Sequence, residues 1–361
     1  MNKGLLAHAA CAANQAIKFR YFCRTYYFPM DEDFRLQVLR FFKSGMLSSG
    51  DKLAGILFEK FIVGSNAKKI AAQYASINSR TTADGKIDIA INRYKGGNLV
   101  ALKIRDHLEA AAGSNLIGAY LHGSIATSEV IGYSDFDGLV IVKSECMKNP
   151  QKLAGLFTAL KETEMMMLDM DPLQHHGWFV LTEADLVEYP EHYFPTVLFN
   201  HAATLFGEST LTMQLNPAGY TDYFVPSFNH LSQSILSKLE TGSYLQNYYA
   251  FKNLLSEFML LPAIYLQAKT GKGVFKKYSF SLLDKELGAD YSIMNVISGL
   301  REKWNYKPPP GYLKLRKRGK LSKNFAARSG QLPEETLSAF RNELGQSMKK
   351  FVNQLQSRIQ K

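Results

Sequence analysis

Four residues in one short stretch have the types and spacing for phosphate and metal chemistry. In "LHGSIATSEVIGYSDFDGLVIV" (Leu121 to Val142), Gly123 and Ser124 end one apolar run, and Asp135 and Asp137 open another. If the second run is a strand, side chains alternate faces, so Asp135 and Asp137 share one face with Phe136 on the other. Two carboxylates about 7 Å apart on one face repel, and a divalent cation between them relieves that repulsion. Mg²⁺ suits such a pair, because it takes one or two carboxylates, keeps waters and binds substrate phosphates. Glycine lets backbone approach a phosphate closely, and the serine hydroxyl and the amides after it can donate to it. A phosphate cradle and a metal pair linked by ten residues fit an NTP bound as its magnesium complex. The chemistry would be in-line attack on the α-phosphate, with pyrophosphate leaving and metal ions activating nucleophile and leaving group.

The same stretch resembles the signature of the polymerase-β-like nucleotidyltransferase superfamily: apolar-Gly-Ser, a spacer, then Asp-apolar-Asp-apolar. Gly123 and Ser124 match its Gly-Ser, and Asp135 and Asp137 match its metal aspartates. Gly138 departs from the pattern, which prefers an apolar residue there. "TLFGES" is similar to a strand-turn of aminoglycoside-type members, and the helical stretch after about residue 225 resembles the domain they append. The resemblance implies an NMP-transferring enzyme using Mg²⁺, or Mn²⁺, with NTP as substrate. It also implies a third carboxylate near the start of the third strand. Here that strand opens "DMDPLQHHGWFVLT", where the aligned position holds Gln174, His175 or His176. Three readings stay open. Asp171 reaches the site because Pro172 bends the chain; a histidine, His176 for choice, replaces the carboxylate as base or ligand; or the third ligand is missing. Adjacent histidines on a strand would face opposite ways, so one at most is expected at the site. Lys252 and Lys277, with Lys276 beside it, are expected to bind the triphosphate. His122, Trp178 and Met165 to Met167 are expected to be structural.

The elements around this stretch read as α/β: a small mixed sheet, an N-terminal helical region and a C-terminal helical domain. "NLVALKIRDHLEAAAG" reads as a helix ended by Gly113, and "NPQKLAGLFTALKETEMMM" as a helix with Asn149 as cap and Pro150 at its first position. "SRTTADGK" reads as a loop. After "NPAGY" two long helices break near Thr241-Gly242, more follow, and "NYKPPPGY" is a stiff linker. The expected division is 1–100, helical and of unknown role; 101–215, the transferase core; and 216–361, the helical domain.

The chain has 361 residues with a net charge of +11. Between Arg301 and Arg328 ten Lys/Arg stand against one acid, Glu302, a run that could grip nucleic-acid phosphates or merely be solvated. Three unpaired cysteines, Cys11, Cys23 and Cys146, point to a reducing, cytoplasmic setting. The N-terminus reads as a helix and not a signal peptide. "LLSEFMLLPAIYLQA" holds Glu257 and Pro262 and reads as a buried helix, so no membrane partner is expected. The acceptor hydroxyl could belong to a small molecule, an RNA end or a protein. The competing reading is a degenerate transferase domain that binds NTP or RNA as a sensor or assembly component.

Overall fold

The computed structural model describes residues 85–147, 149–187, 189, 191, 194–215, 221–317 and 330–359. The expected N-terminal helices up to residue 84, Cys11, Cys23 and most of the far half of the basic run lie outside the described residues.

The described chain starts with β1 (Lys86–Ala90) and β2 (Asn92–Arg93), which fall in a region expected to be loop and helix. "KIDIAI" alternates polar and apolar residues, a strand period. Helix α1 (Leu99–Ala112) starts where Asn98 Oδ1 accepts from the Val100 and Ala101 amides, at 3.0 and 3.1 Å, and Gly113 ends it. Strand β3 (Leu116–Leu121), the one-turn helix α2 (Gly123–Ala126) and β4 (Gly138–Val142) follow. Helix α3 (Pro150–Met167) has Asn149 as cap, accepting from the Lys152 amide at 3.0 Å, with Pro150 in the first turn. Strands β5 (Phe179–Thr182), β6 (Ala203–Gly207) and β7 (Thr210–Gln214) complete the sheets.

The main sheet has the order β2-β6-β3-β4-β5 and is mixed: β3 runs antiparallel to β4 and β6, while β4–β5 and β2–β6 are parallel. Strands β1 and β7 form a separate antiparallel pair. The interior strand β4, "GLVIV", is buried at every position because both faces are covered. Val140 and Val142 face α1 and α3 among Ile104, Leu108, Leu156 and Leu160. Leu139 and Ile141 face the opposite way, among Tyr189, Phe194 and Phe199.

The second half is helical. Helix α4 (Thr221–Thr241) stops at Gly242, whose φ of 66° is left-handed. Helix α5 (Tyr248–Thr270) is capped by Asn247 and ended by Gly271 at φ 68°. Helices α6 (Lys276–Leu287), α7 (Ser292–Glu302) and α8 (Tyr312–Lys317) follow, and α9 (Gly345–Ile359) closes the described chain. Phe258, Tyr265, Ile297 and Phe351 meet in one core. The apolar stretch of α5 lies in that core, and its Glu257 pairs with Lys238. Among the described residues no helix is long and apolar enough to cross a membrane.

Candidate active site

Asp135 and Asp137 lie just before β4, not within it, yet the alternation expected of a strand holds. The Phe136 ring is fully buried beneath, 5.7 Å from the Trp178 ring, and both carboxylates stand on the other side. The β3–β4 ladder continues one step past Leu121, where the His122 amide donates to the Asp137 carbonyl at 3.1 Å. That bond sets the Gly-Ser turn against the aspartates. Gly123 has φ 67°, a left-handed conformation that favours glycine, and a Cβ there would lie 2.3 Å from Asp137 Oδ2 and displace that carboxylate. Gly138, the departure from the family pattern, has a similar explanation. A Cβ on it would meet the Trp178 ring at 2.5 Å, so the indole occupies the missing side chain's place.

The histidine loop completes the cluster. Strand β5 begins only at Phe179, so His175 and His176 sit in irregular backbone and escape strand alternation. Both turn to the same carboxylate, a correction to the expectation that one at most would do so. His175 Nδ1 and His176 Nε2 each lie 3.3 Å from Asp135 Oδ2, and His176 Nε2 lies 3.1 Å from Asp137 Oδ1. The four side chains keep 20–25% of their surface open, enough for a ligand to reach them. Burial works against a charged His176, but its hydrogen bonds to Asp135 and Asp137 win and hold it well above the usual imidazole range. Burial likewise opposes a charged Asp135, and the bond to His176 holds that carboxyl well below its usual range. Burial, then the His176 charge, pulls His175 down to about 4, so it is neutral at neutral pH.

Gln174 ties this cluster together. Its Oε1 accepts from the Phe136 amide at 2.9 Å, and its Nε2 donates to the Phe136 carbonyl at 2.9 Å and the His176 carbonyl at 3.0 Å. One amide thus fixes the backbone between the two aspartates and the backbone of a histidine. Arg316, buried on α8, donates to the Gln174 carbonyl at 2.8 Å and the Pro172 carbonyl at 3.1 Å. Lys317 pairs with Asp169. Part of the basic run is therefore structural, while Lys303, Lys307 and Lys314 are exposed.

Asp171 and Lys252 bind each other. Their Nζ–Oδ2 distance is 2.7 Å and the side chains are 4% and 1% exposed. The Leu173 amide also donates to Asp171, at 2.9 Å. Burial raises the Asp171 carboxyl in spite of the lysine. Lys277 is exposed and pairs with Glu129 in the spacer. Its neighbour Lys276 is half-buried, and among the described residues its amine has no ion-pair partner. Burial, then the Arg301 charge, pulls Lys276 down to about 8, against the pull of Asp135 and Asp137. The Arg301 guanidinium lies 4.6 Å from the centre of the Tyr133 ring, and Lys252 Nζ 4.8 Å. The Tyr133 hydroxyl donates to the Lys252 carbonyl at 2.7 Å and lies 2.7 Å from Ser256 Oγ. Tyr133 and Arg301 were missed because a lone aromatic in a spacer and one arginine in a basic run carry no local signal. His122, expected to be structural, lies buried and edge-on to Phe179 and Phe194. A cavity of about 660 Å³ lies at the far end of β3, lined by Glu109, Lys143, Glu183 and Glu208, and none of the expected site residues lines it.

Neither known protein families nor curated proteins match the chain. Two solved chains do. One is the spectinomycin adenyltransferase AAD(9) from Enterococcus faecialis, crystallised with ATP and spectinomycin. The identity is 14% and the TM-score 0.30, over 73% of this chain and 98% of that one. So low a score carries no argument about function, which rests on the site's own geometry.

Proposed function

We propose that this chain is a metal-dependent nucleotidyltransferase that moves an NMP from an NTP to an acceptor hydroxyl. The observation that carries it is the convergence of Asp135 and Asp137 on one point, marked by His176 Nε2 at 3.3 and 3.1 Å, beside the left-handed turn at Gly123. Two carboxylates already drawn around a cationic group are a fitting seat for a divalent ion. Held there, Mg²⁺ or Mn²⁺ would polarise the α-phosphate and offset the charge of the leaving pyrophosphate.

The chain's own groups divide the remaining work. Gly123 and Ser124 hold the terminal phosphates beside Asp137. Lys276 and Arg301 bring positive charge from the helical half. Lys277 reaches a bound NTP only by leaving Glu129. Asp171 and Lys252 support the site's rim. Among acceptors, a small molecule fits a site closed on one side by α6 and α7, and an RNA end fits the exposed Lys303, Lys307 and Lys314. The reading as a non-catalytic binder keeps one specific support. Asp171 is held by Lys252, so only two aspartates face the open rim.

Turnover separates the two readings, because both predict binding. The purified chain is incubated with α-³²P NTPs and Mg²⁺ or Mn²⁺, with cellular RNA and a small-metabolite extract as separate acceptor pools. Label entering one pool with release of pyrophosphate, and lost in Asp135→Ala/Asp137→Ala, is the expected result and names the acceptor class. Bound NTP without turnover in either pool favours the binder. Transfer unchanged in the double variant refutes the site.

A further inference from the structure

We propose that Asp135, His175 and His176 form a binding site for one first-row transition ion of the Mn²⁺, Co²⁺ or Zn²⁺ kind, in preference to Mg²⁺. This deepens the transfer reading, since it concerns the metal of that site, but binding can be measured apart from transfer.

The geometry comes first. One donor atom from each of Asp135, His175 and His176 lies within 4.8 Å of the other two, and Asp135 Oδ2 is 3.3 Å from both His175 Nδ1 and His176 Nε2. Ligand atoms bonded at about 2.1 Å to a common ion stand about 3.0–3.4 Å apart at tetrahedral or octahedral angles. Asp137 Oδ1 lies beside this group, 3.1 Å from His176 Nε2. The two imidazoles meet edge to face, with ring centres 4.7 Å apart and planes at 83°. That arrangement lets each aim one nitrogen at the same point without the rings clashing.

The supporting contacts are those of a ligand shell. His176 Nδ1 lies 3.1 Å from the Gly177 carbonyl, the outer hydrogen bond that fixes a metal-binding imidazole's orientation and leaves the other nitrogen toward the ion. The Gln174 amide holds the backbone of both the Asp pair and His176, so the donors are set before an ion arrives. Donor chemistry then selects the ion. Mg²⁺ is a hard cation that keeps oxygen ligands and water, whereas imidazole nitrogen favours the later divalent ions. A site of two imidazoles and one or two carboxylates is therefore poorly matched to Mg²⁺. The competing account is that His176 is a protonated counter-ion between the aspartates and no ion enters.

The test uses the full chain, stripped with a chelator and titrated with Co²⁺ while the visible absorption is recorded, then with Mn²⁺ and Mg²⁺ in competition. The expected result is one Co²⁺ per chain with its visible bands displaced from those of the hydrated ion, and Mn²⁺ bound about tenfold or more tighter than Mg²⁺. His175→Gln should weaken Co²⁺ on the order of 100-fold. His176→Asp, which exchanges one of the two imidazole nitrogens for a carboxylate oxygen, should shift the preference toward Mg²⁺. Circular dichroism checks that both variants fold. Should either fail to, Mn²⁺ broadening of histidine ring signals in the wild-type chain decides the matter. A Co²⁺ spectrum that stays that of the hydrated ion, or His175→Gln binding as the wild type does, overturns the proposal. Ion binding as expected, with no label transfer to any acceptor, leaves this site standing and removes the transferase reading. Mg²⁺-supported transfer that neither histidine substitution changes does the reverse.

Discussion

Two aspartates of this chain meet positive charge in opposite ways. Asp135 sits on an open rim, 20% exposed, with two imidazoles at 3.3 Å and its carboxyl held well below the usual range. Asp171 is sealed, 4% exposed, against a lysine that is 1% exposed, and burial raises its carboxyl. Asp135 was expected at the start of the second core strand and Asp171 near the start of the third, and both were candidates for the same chemistry. Environment separates them. A carboxylate with open surface and adaptable partners can exchange those partners for a ligand. A carboxylate matched one to one with a buried amine cannot give it up without leaving a bare charge in the interior.

Each substitution below breaks or sharpens that contrast. Asp135→Asn and Asp137→Asn should each lower transfer by about 10³-fold or more, since several kcal/mol of charge stabilisation are lost at about 1.4 kcal/mol per tenfold. Both should leave thermal unfolding nearly unchanged. The sealed pair should show the reverse. Lys252→Met strands Asp171 and should destabilise the fold by about 3–5 kcal/mol, read by urea unfolding, while Lys252→Met/Asp171→Leu should recover most of that loss. Lys276 lies between the extremes. Lys276→Met should raise the KM for NTP about 10- to 100-fold with a smaller change in kcat, as for loss of a hydrogen bond to a charged group. Its free-enzyme pKa near 8 gives a sign: the amine is charged below about 8, so kcat/KM for NTP should fall as pH rises through it. Lys276→Met should lack that step. The smallest effect belongs to Lys277→Ala. Its partner Glu129 is exposed, and such solvent-screened surface pairs contribute little, so stability should barely move.

The sequence made the central frame legible where local rules act. Asn149-Pro150, Gly113 and Gly242 mark helix ends through local signals, and all three sit where expected. The run "GLVIV" reads as a strand and is one, and the structure adds that every position of it is buried. Strand β1 was missed because its partner is β7, more than a hundred residues away, and a short alternation beside a glycine loop reads equally as loop. The site divides the same way. Gly123, Asp135 and Asp137 converge through one hairpin-like pairing, β3 with β4, so their spacing carries the geometry. Asp171 and Lys252 meet across 81 positions, and nothing in either segment names the other. The two histidines were misjudged by assuming that the strand begins before them. It begins at Phe179, and Gln174 shapes the irregular turn by bonding to Phe136, a contact that no periodicity reveals.

The most direct test of the account sets the two regions side by side. Label transfer from α-³²P NTP is measured at equal concentrations of folded wild type, Asp135→Asn and Lys252→Met/Asp171→Leu. The account predicts no transfer above background for Asp135→Asn, and transfer within about tenfold of wild type for the double variant, whose residues support the rim without touching the reacting atoms. Transfer retained by Asp135→Asn and abolished in a well-folded double variant would contradict it, and would move the chemistry from the open rim to the buried pair.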